Sequence, residues 1–308
     1  MSTVVLWEHG IEPLGRCVVA IGVFDGVHIG HQALVRDAVE LACAKGVRSV
    51  VLTFDRDPDQ VVSPGTAMPQ LLDLDDKLSL LAQQGADLVL VVPFTERLAA
   101  TAPLVFLDEV LLETMVPVAV AVGRDFRFGH RAEGDVDVLV RYGAAHGFEV
   151  IAHDLVSDEG GPITSTRIRR LVETGDVAGA SVLLGRPHRV RGIVVHGRGE
   201  GAALDAPTAN IVTAPFAALP AHGVYAGRAE VDGRVYPAAV SVGVPPSFPG
   251  ATVELEAHLI GFEGDLYGRT LTVELLEFLR PQRRFADAAE LADAIRSDIA
   301  TVRRTAEG

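Results

Sequence analysis

The chain has 308 residues, enough for more than one hydrophobic core, so two domains are expected. Hydrophobic residues make up 48% and charged residues 22% of it, which is typical of globular rather than disordered proteins. Its 41 acidic and 27 basic residues give a net charge of -14, which argues against general nucleic-acid binding because neutralising phosphates takes a basic face. A nucleotide substrate fits this charge, since a few arginines or backbone N–H groups can bind its phosphates.

Cysteine usage and hydropathy narrow the class of protein further. Cys17 and Cys43 permit one disulfide by count, but they form no Cys-x-x-Cys pair, disulfide framework or zinc motif. No signal peptide is expected, because the amino terminus lacks a basic start followed by an apolar run. Apolar runs such as Val116–Val122 are too short to cross a membrane. We therefore expect a cytoplasmic protein with no membrane or nucleic-acid partner.

The first 185 residues alternate between strand and helix patterns. A buried strand is predicted at Val18–Phe24, then a helix at His31–Lys45 closed by Gly46, then a strand at Arg48–Phe54. The further predicted elements are a helix at Asp75–Gln84, a strand at Leu88–Val92, a helix at Pro103–Thr114, strands at Ala119–Val122 and Glu149–His153, and a helix at Ser165–Glu173. This alternation predicts a doubly wound, Rossmann-like α/β domain over residues 1–185.

Beyond residue 185 the pattern changes to short extended runs separated by glycine and proline. The predicted strands are Val190–Val195, Val224–Val231, Val235–Val242, Val253–Ile260 and Leu271–Phe278. Such spacing predicts an antiparallel barrel or sandwich. Helical periodicity returns at Ala286–Arg304, so a terminal helix is expected to pack on this second domain, residues 186–308.

Segment 22–31 carries the strongest chemical signal and reads Gly-Val-Phe-Asp-Gly-Val-His-Ile-Gly-His. It stands where the first strand passes into the first helix, where backbone N–H groups and the helix dipole favour an anion. His28 and His31 are three residues apart, so one helical turn presents them side by side as donors to a phosphate. Two surface histidines beside a turn would give the same pattern. A metal site lacks carboxylate partners nearby in the sequence.

This segment resembles the His-x-Gly-His nucleotidyltransferases, and its fuller form resembles the bacterial bifunctional riboflavin kinase/FMN adenylyltransferases, also called FAD synthetases. The resemblance continues through Val122–Gly129 and Ile163–Arg169 and covers essentially the whole chain in order. It implies that the N-terminal domain transfers an adenylyl group from ATP to FMN, which gives FAD. It also implies that the C-terminal domain phosphorylates riboflavin, and that both steps use Mg²⁺.

The resemblance also implies roles for single residues of the first domain. His28, His31 and Arg167 would be catalytic. The residues implied to bind ATP are Gly22, Phe24, Asp25, Gly26, Gly30, Asp125, Ser165 and Thr166. The residues implied to bind flavin are Phe54, Asp55, Phe126, Arg127 and Phe128. Taken alone, Thr164 or Ser165 could equally cap a helix beside solvated arginines, and the phenylalanines of segment 126–128 could be core.

One loop of the first domain departs from the family pattern. The family usually has Phe-Asp-Pro-His-Pro after the second strand, whereas this chain has Phe-Asp-Arg-Asp-Pro at 54–58. In the family that loop lies near the flavin, so Arg56 and Asp57 bear on flavin identity and affinity.

The second domain resembles the riboflavin kinase barrel through Pro-Thr-Ala-Asn at 207–210 and a glycine-rich loop at 197–201. The resemblance implies that Glu256 accepts the proton of the riboflavin 5′-hydroxyl. The residues implied to bind ATP and Mg²⁺ there are Gly197, Gly199, Thr208 and Asn210. Taken alone, Pro-Thr-Ala-Asn is an ordinary turn, and a glutamate among apolar residues marks the solvent face of a strand.

Two departures weaken the kinase motifs and leave three hypotheses. Asp205-Ala206 stands where the family has Gly-Phe, and a carboxylate beside a triphosphate opposes binding. Segment Ser241–Phe248 keeps the shape but not the polar residues of the family's Asn-Ile-Gly-Thr-x-Pro-Thr-Phe. The first hypothesis is a bifunctional enzyme. The second is an adenylyltransferase whose barrel has lost kinase activity, or a paralogue that acts on a modified flavin. The third is a non-catalytic flavin-binding regulator. The two histidines argue against the third. The partners are riboflavin, FMN and ATP; the oligomeric state stays open, although this family sometimes self-associates.

Overall fold

A computed structural model of the chain describes residues 2–196, 208–243 and 255–307. The chain forms two compact units. The first consists of Met1–Met68 and Leu74–Thr164, and the second of Pro69–Asp73 and Ser165–Gly308. The two helices that follow residue 164 therefore group with the barrel, whereas the sequence analysis grouped them with the first domain.

The first unit is built on a parallel six-stranded sheet. Its strands are β1 (Thr3–Leu6), β2 (Arg16–Ile21), β3 (Arg48–Phe54), β4 (Leu88–Val92), β5 (Val116–Gly123) and β6 (Glu149–His153). Its helices are α1 (Ile29–Lys45), α2 (Asp59–Val62), α3 (Leu74–Gln83), α4 (Glu96–Ala99), α5 (Pro103–Phe106) and α6 (Val136–His146). A π-helical turn spans Leu107–Leu112, 3₁₀ turns span Pro64–Thr66 and His130–Ala132, and β7 (Ser157–Asp158) pairs with β8 (Gly161–Pro162).

The strand order of this sheet reverses beside β2. The order is β1-β4-β3-β2-β5-β6, so the chain first moves outward from β2 on one side and then returns to β5 on the other. The strands run parallel throughout. In such open α/β sheets ligands bind outside the carboxyl ends of the strands, at the point where the order reverses. The predicted doubly wound domain is confirmed, and its reversal point lies between β2 and β5.

The apolar runs of the sequence form the strands because both faces of the sheet are covered. In β2, Val19 and Ile21 face one core, and the alternate residues Val18 and Ala20 are equally buried on the other side. The predicted strand began two residues late and ended three residues late, since β2 begins at Arg16 and ends at Ile21. The apolar residues beyond it belong to a turn.

The described part of the second unit is a closed antiparallel barrel with three helices. Helices α7 (Ser165–Glu173) and α8 (Val177–Leu184) lead into β9 (His188–Val195), β10 (Ala209–Thr213), β11 (Gly223–Val231), β12 (Arg234–Val242), β13 (Leu255–Leu259) and β14 (Thr270–Arg280). The strand order around the barrel is β10-β13-β12-β11-β14-β9. Helix α9 (Ala288–Glu307) packs on β11 and β12. The predicted barrel with a terminal helix is confirmed.

A short segment from earlier in the chain completes the second unit. Gln70 lies in the stretch between the two parts of the first unit. Its backbone N–H donates to Phe216 O (2.6 Å), and its carbonyl accepts from Ala218 N–H (2.8 Å). Asp73 lies 3.5 Å from Arg191 of β9. In the described part of the chain, no helix is both long and apolar enough to cross a lipid bilayer.

A buried histidine makes the barrel sensitive to acid. His188 opens β9, and its Nε2–H donates to Ala218 O at 2.9 Å. Burial lowers the pKa of His188 to about 4. Because the unfolded chain binds this proton at a higher pH, stability is complete above pH 6.5 and is lost as the pH falls toward 4.

We expect acidification from pH 7 to pH 4 to cost the second unit about 3 kcal/mol through His188 alone, at 1.36 kcal/mol per pKa unit. His188→Gln keeps a donor for Ala218 O but cannot take up a proton, so it should flatten this dependence. The measurement is urea unfolding across that range. His9→Gln, at an exposed position of the first unit, serves as control. An unchanged pH dependence in His188→Gln would contradict the assignment.

Candidate active sites

The turn between β2 and α1, residues 22–28, is the histidine loop, and it holds two buried residues in a strained backbone conformation. Phe24 has φ 56° and Val27 has φ 38°, which is unusual for any residue but glycine and most of all for a β-branched one. The hydrogen bonds that hold the loop include Val27 N–H to Phe24 O (3.1 Å), Thr53 Oγ1 to Val23 O (3.1 Å) and Gln32 Nε2 to Val27 O (2.9 Å). Such strain persists only where the surroundings fix the backbone, and it is concentrated at functional sites.

Two glycines of this segment make room for aromatic rings. A Cβ at Gly22 would lie 2.9 Å from the ring of Phe24, which is closer than real Cβ contacts come. A Cβ at Gly30 would lie 3.2 Å from the imidazole of His28. Glycine at these two positions therefore lets Phe24 fold back over the end of β2 and lets His28 lie against the first turn of α1.

His28 and His31 form a stacked pair at the amino end of α1. Their ring centroids are 3.6 Å apart with planes inclined by 20°, and His31 also meets the ring of Phe24 edge-on at 5.3 Å. His28 is the N-cap, and its Nδ1 accepts the backbone N–H of His31 at 3.3 Å. A nitrogen that accepts carries no proton, so neutral His28 carries its proton on Nε2 and can donate there.

The position of His31 favours the neutral imidazole. Burial lowers its pKa well below 6.5, and the neighbouring His28 and Lys77 lower it further. Its Nδ1 is buried and makes no hydrogen bond to any other residue that the structure describes. A buried polar atom of this kind is uncommon in native proteins and can be satisfied by a ligand. His31 is therefore suited to act as an uncharged hydrogen-bonding group near neutral pH.

The helix behind this pair adds to the attraction for an anion. α1 has 17 residues and no acidic side chain in its first turn, so its unpaired N–H groups and dipole present partial positive charge. Asp25 and Gly26, both predicted to bind ATP, belong to the same loop; Asp25 is buried, and Gly26 has φ 81°. The loop thus combines hydrogen-bond donors, small residues and a helix terminus beside the strand-order reversal.

The loop after β5 is the other wall of this reversal point. The rings of Phe126 and Phe128 stack at 5.4 Å with planes 17° apart; Phe128 is buried in the core, and Phe126 is partly exposed. Asp125 and Arg127 are exposed. The alternative that these phenylalanines belong to the hydrophobic core therefore fits Phe128. Phe126 keeps an exposed part of its ring, which another aromatic ring could contact.

Phe54 and Asp55, which are predicted to contact flavin, make contacts to other residues of the protein. Phe54 ends β3 in the core and meets the ring of Phe94 edge-on at 5.4 Å. Asp55 accepts the backbone N–H of Phe94 at 2.7 Å and pairs with Arg56 at 2.8 Å. Both residues support the loops that follow β3 and β4. Their contact with flavin stays a prediction.

The predicted phosphate-binding residues after position 164 belong to the second unit. Ser165, Thr166 and Arg167 form the first turn of α7. The helix is anchored by the buried side chains of Ile168 and Val172. Arg167 is partly exposed, as expected of a side chain that can meet a solvent-borne anion.

The barrel brings two predicted kinase residues together. Asn210 of β10 lies directly opposite Glu256 of β13, and Glu256 lies directly opposite Ser241 of β12. Their sequence neighbours Ala209 and Ala257 point into the barrel core, so the three polar side chains share the outer face. Directly opposite side chains on antiparallel strands have Cβ atoms roughly 5 Å apart. The turn interpretation of Pro-Thr-Ala-Asn is therefore wrong for its second half, which begins β10.

The sequence did not point to Gln282, a glutamine that binds the end of β12 at Ser241. Gln282 Nε2 approaches Ser241 Oγ (3.1 Å), Val242 O (3.0 Å) and Gly243 O (3.1 Å). Thr208 immediately precedes β10. The predicted Gly197 and Gly199, the Asp205-Ala206 departure and segment 244–248 lie outside the described residues.

We expect the imidazole of His31 to stay uncharged in the folded chain from pH 8 down to pH 6, because its surroundings lower its pKa. The measurement is nitrogen NMR of ¹⁵N-histidine, with His31→Gln to assign the signal. In the urea-unfolded chain the same imidazole should titrate near its ordinary value of about 6.5. A folded-state titration of His31 near that value would contradict the proposed state.

Two family matches follow one another along the chain. Residues 11–167 match the FAD synthetase family, and residues 184–306 match the riboflavin kinase family. These are the two families that the motifs in segments 22–31 and 207–210 predict.

Similar protein sequences and a similar solved structure span nearly the full length of this chain. The bifunctional riboflavin kinase/FMN adenylyltransferase of Pseudomonas fluorescens is 38% identical over 97% of this chain and 96% of its own. That of Escherichia coli strain K12 is 36% identical over 94% and 93%. A crystal structure from Streptococcus pneumoniae, described as a macrolide-efflux protein, has a TM-score of 0.86 at 30% identity over 97% and 98% of the two chains. That last likeness concerns the fold. The chain therefore belongs to the bifunctional riboflavin kinase/FMN adenylyltransferase family and is an enzyme of FAD biosynthesis.

Proposed function

We propose that the histidine loop carries out the adenylyl transfer from ATP to FMN, which gives FAD and pyrophosphate. The observation that carries this proposal is the stacked pair of His28 and His31 at the amino end of α1, beside the strand-order reversal. FMN brings a phosphate that is already an anion, so the reaction needs no strong base. Catalysis then depends on holding the reactants in line and stabilising charge at phosphorus.

The chemical step is a displacement at the α-phosphorus of ATP. An oxygen of the FMN phosphate forms the new bond while the bond from the α-phosphorus to the oxygen shared with the β-phosphorus breaks, and pyrophosphate leaves. His28 Nε2–H and His31 would donate to the phosphate oxygens on which negative charge grows. Gly22, Gly26 and Gly30 would let the backbone approach them, and Ser165, Thr166 and Arg167 would bind the β- and γ-phosphates.

The flavin would lie on the same side of the sheet. Phe126 offers a partly exposed ring, stacked on the buried Phe128, to the isoalloxazine system. Arg127 and Asp125 are exposed in the same loop and are our candidates for polar contacts to FMN and ATP. Phe54 and Asp55 would act by shaping this wall.

The barrel, in our proposal, phosphorylates riboflavin. Glu256 would accept the proton of the 5′-hydroxyl as its oxygen attacks the γ-phosphorus of ATP and ADP leaves. The hydroxyl of Thr208 and the amide oxygen of Asn210 are hard ligands of the kind that Mg²⁺ prefers, and they would hold that ion. When bound, Mg²⁺ supplies charge neutralisation to the ATP phosphates. Support comes from the direct pairing of Asn210 with Glu256.

The roles of the two domains, the substrates and the cellular location follow from these two reactions. Residues 1–185 would supply the adenylyltransferase and residues 186–308 the kinase. The substrates are the small molecules riboflavin, FMN and ATP, and the enzyme would act in the cytoplasm. Incubating the purified chain with Mg²⁺, ATP and either flavin distinguishes the alternatives. FAD from FMN alone would mean a silent barrel, and FAD from neither would remove the proposal.

We expect His28→Asn to lower kcat for FMN adenylylation by about 10²- to 10³-fold, as loss of one oxyanion donor does elsewhere. Asparagine keeps an N-cap acceptor for α1 but loses the Nε2–H donor, so the loss would reflect chemistry rather than helix stability. His31→Gln should behave alike. Chromatographic separation of the flavins measures the rates. His9→Asn, on an exposed residue, is the control, and an active His28→Asn would argue against the proposed role.

Glu256→Gln should lower riboflavin phosphorylation by roughly 10²- to 10⁴-fold, the usual contribution of a general base. FMN adenylylation in the same preparation should stay unchanged, because the substitution leaves the first unit intact. Glu230→Gln is the matched control, since Glu230 is exposed on the outer face of the same barrel. If Glu256→Gln phosphorylates riboflavin at the normal rate, Glu256 is not the base.

A further inference from the structure

The chain uses arginine for nearly all of its basic residues. Only two of the 27 basic residues are lysines, Lys45 and Lys77. Lys45 ends α1 at the surface, 3.8 Å from Glu149, whereas Lys77 of α3 is only 4% exposed. An ammonium is a compact charge with three rotatable donors, while the planar guanidinium of arginine is wider. Lys77 therefore places a compact cation in the interior of the first unit.

Lys77 joins the histidine loop to the end of β3. Its Nζ donates to Phe54 O at 2.7 Å and lies 3.4 Å from Val23 O. Val23 precedes the strained Phe24, and its carbonyl also accepts from Thr53 Oγ1. One ammonium thus contacts the backbone of the histidine loop, which follows β2, and the last residue of the neighbouring β3.

Three carboxylates act on this ammonium. Burial lowers the pKa of Lys77, and Asp57, Asp25 and Asp55 oppose that shift, with Asp57 acting most strongly. Asp57 and Asp25 are themselves buried. Buried charges are stable only when opposite charges accompany them. Asp57 stands where the family pattern has histidine, so this chain has a buried acid whose charge acts on the buried ammonium.

The same ammonium also acts on a proposed catalytic residue. Lys77 is one of the charges that lower the pKa of His31. Its described hydrogen bonds go to the backbone carbonyls of Phe54 and Val23. Lys77 can therefore influence the reaction by two routes: its charge acts on His31, and its hydrogen bonds to Val23 O and Phe54 O fix the conformation of the histidine loop.

We propose that Lys77 is a positioning residue for adenylyl transfer: it holds the histidine loop against the end of β3, with Asp57 as its buried counter-charge. The inference rests on the adenylyl transfer proposed above. It adds a role for a residue that no motif marks, and it gives the Asp57 departure a structural function.

The test compares Lys77→Met, Asp57→Asn and the double variant, with Lys45→Met as the matched control. We expect Lys77→Met to lower kcat for FMN adenylylation by about 10- to 100-fold, because small displacements of catalytic groups have effects of that size. The KM values for ATP and FMN should change little, since the substrate contacts remain. Riboflavin phosphorylation in the same preparation should be unchanged.

The double variant separates positioning from stability. Lys77→Met leaves Asp57 as a buried acid without its ammonium, so the melting temperature should fall. Adding Asp57→Asn removes that charge and should restore the melting temperature, while kcat stays as low as in Lys77→Met. Recovery of kcat in the double variant would mean that Lys77 only balances charge, and an active Lys77→Met would overturn the proposal outright.

A measurement on the unmodified chain covers the case in which Lys77→Met does not fold. Lysine labelled with ¹⁵N at Nζ should give two side-chain signals, assigned with Lys45→Met. Addition of Mg²⁺ with ATP, or of FMN, should shift the Lys77 signal and leave that of Lys45 in place. Binding of both ligands without a shift of Lys77 would contradict a positioning role. If the unmodified chain makes no FAD, the adenylyl transfer itself fails, which is a separate outcome.

Discussion

The turn between β2 and α1 constrains the first unit more than any other feature. The chain must leave a fully buried central strand and enter a 17-residue helix within a few residues, and it does so with Phe24 and Val27 at positive φ. Such conformations cost about 1–3 kcal/mol each. Burial of both side chains and the hydrogen bonds from Thr53 and Gln32 offset that cost. The histidine pair follows directly after this turn, so the turn sets its orientation. Because the turn is held by the rigid sheet, the sheet sets the geometry of the site.

The electrostatics of the site are local rather than global. A chain with a net charge of -14 repels ATP and FMN at long range, yet the histidine loop presents a helix terminus and N–H donors to them. His31 contributes as an uncharged group, because a second buried cation beside Lys77 would be costly. The attraction for phosphate thus comes from oriented dipoles that need no change of protonation as charge develops.

Much of the fold could be predicted, because apolar β-branched runs between glycine and polar residues mark buried parallel strands. The bounds of β3, β4, β6 and α7 agree with the predictions residue by residue. β2 was predicted to end too late since Phe24 is apolar like the strand, although its backbone has left it. β10 was missed because a strand of only five residues, so soon after a proline, resembles a turn in the sequence. This strand places Asn210 opposite Glu256. Lys77 and Gln282 leave no pattern, since each acts through single contacts between residues far apart in sequence.

The segment Pro69–Asp73 has a consequence for the modular use of this fold. It pairs with the backbone at Phe216 and Ala218 although it precedes most of the first unit in the chain. No single cut of the gene can therefore release a complete second unit. A fragment that starts at residue 165 or later exposes the Phe216 carbonyl and the Ala218 N–H that this segment satisfies. A barrel joined to another enzyme would therefore need a different partner for these two backbone groups.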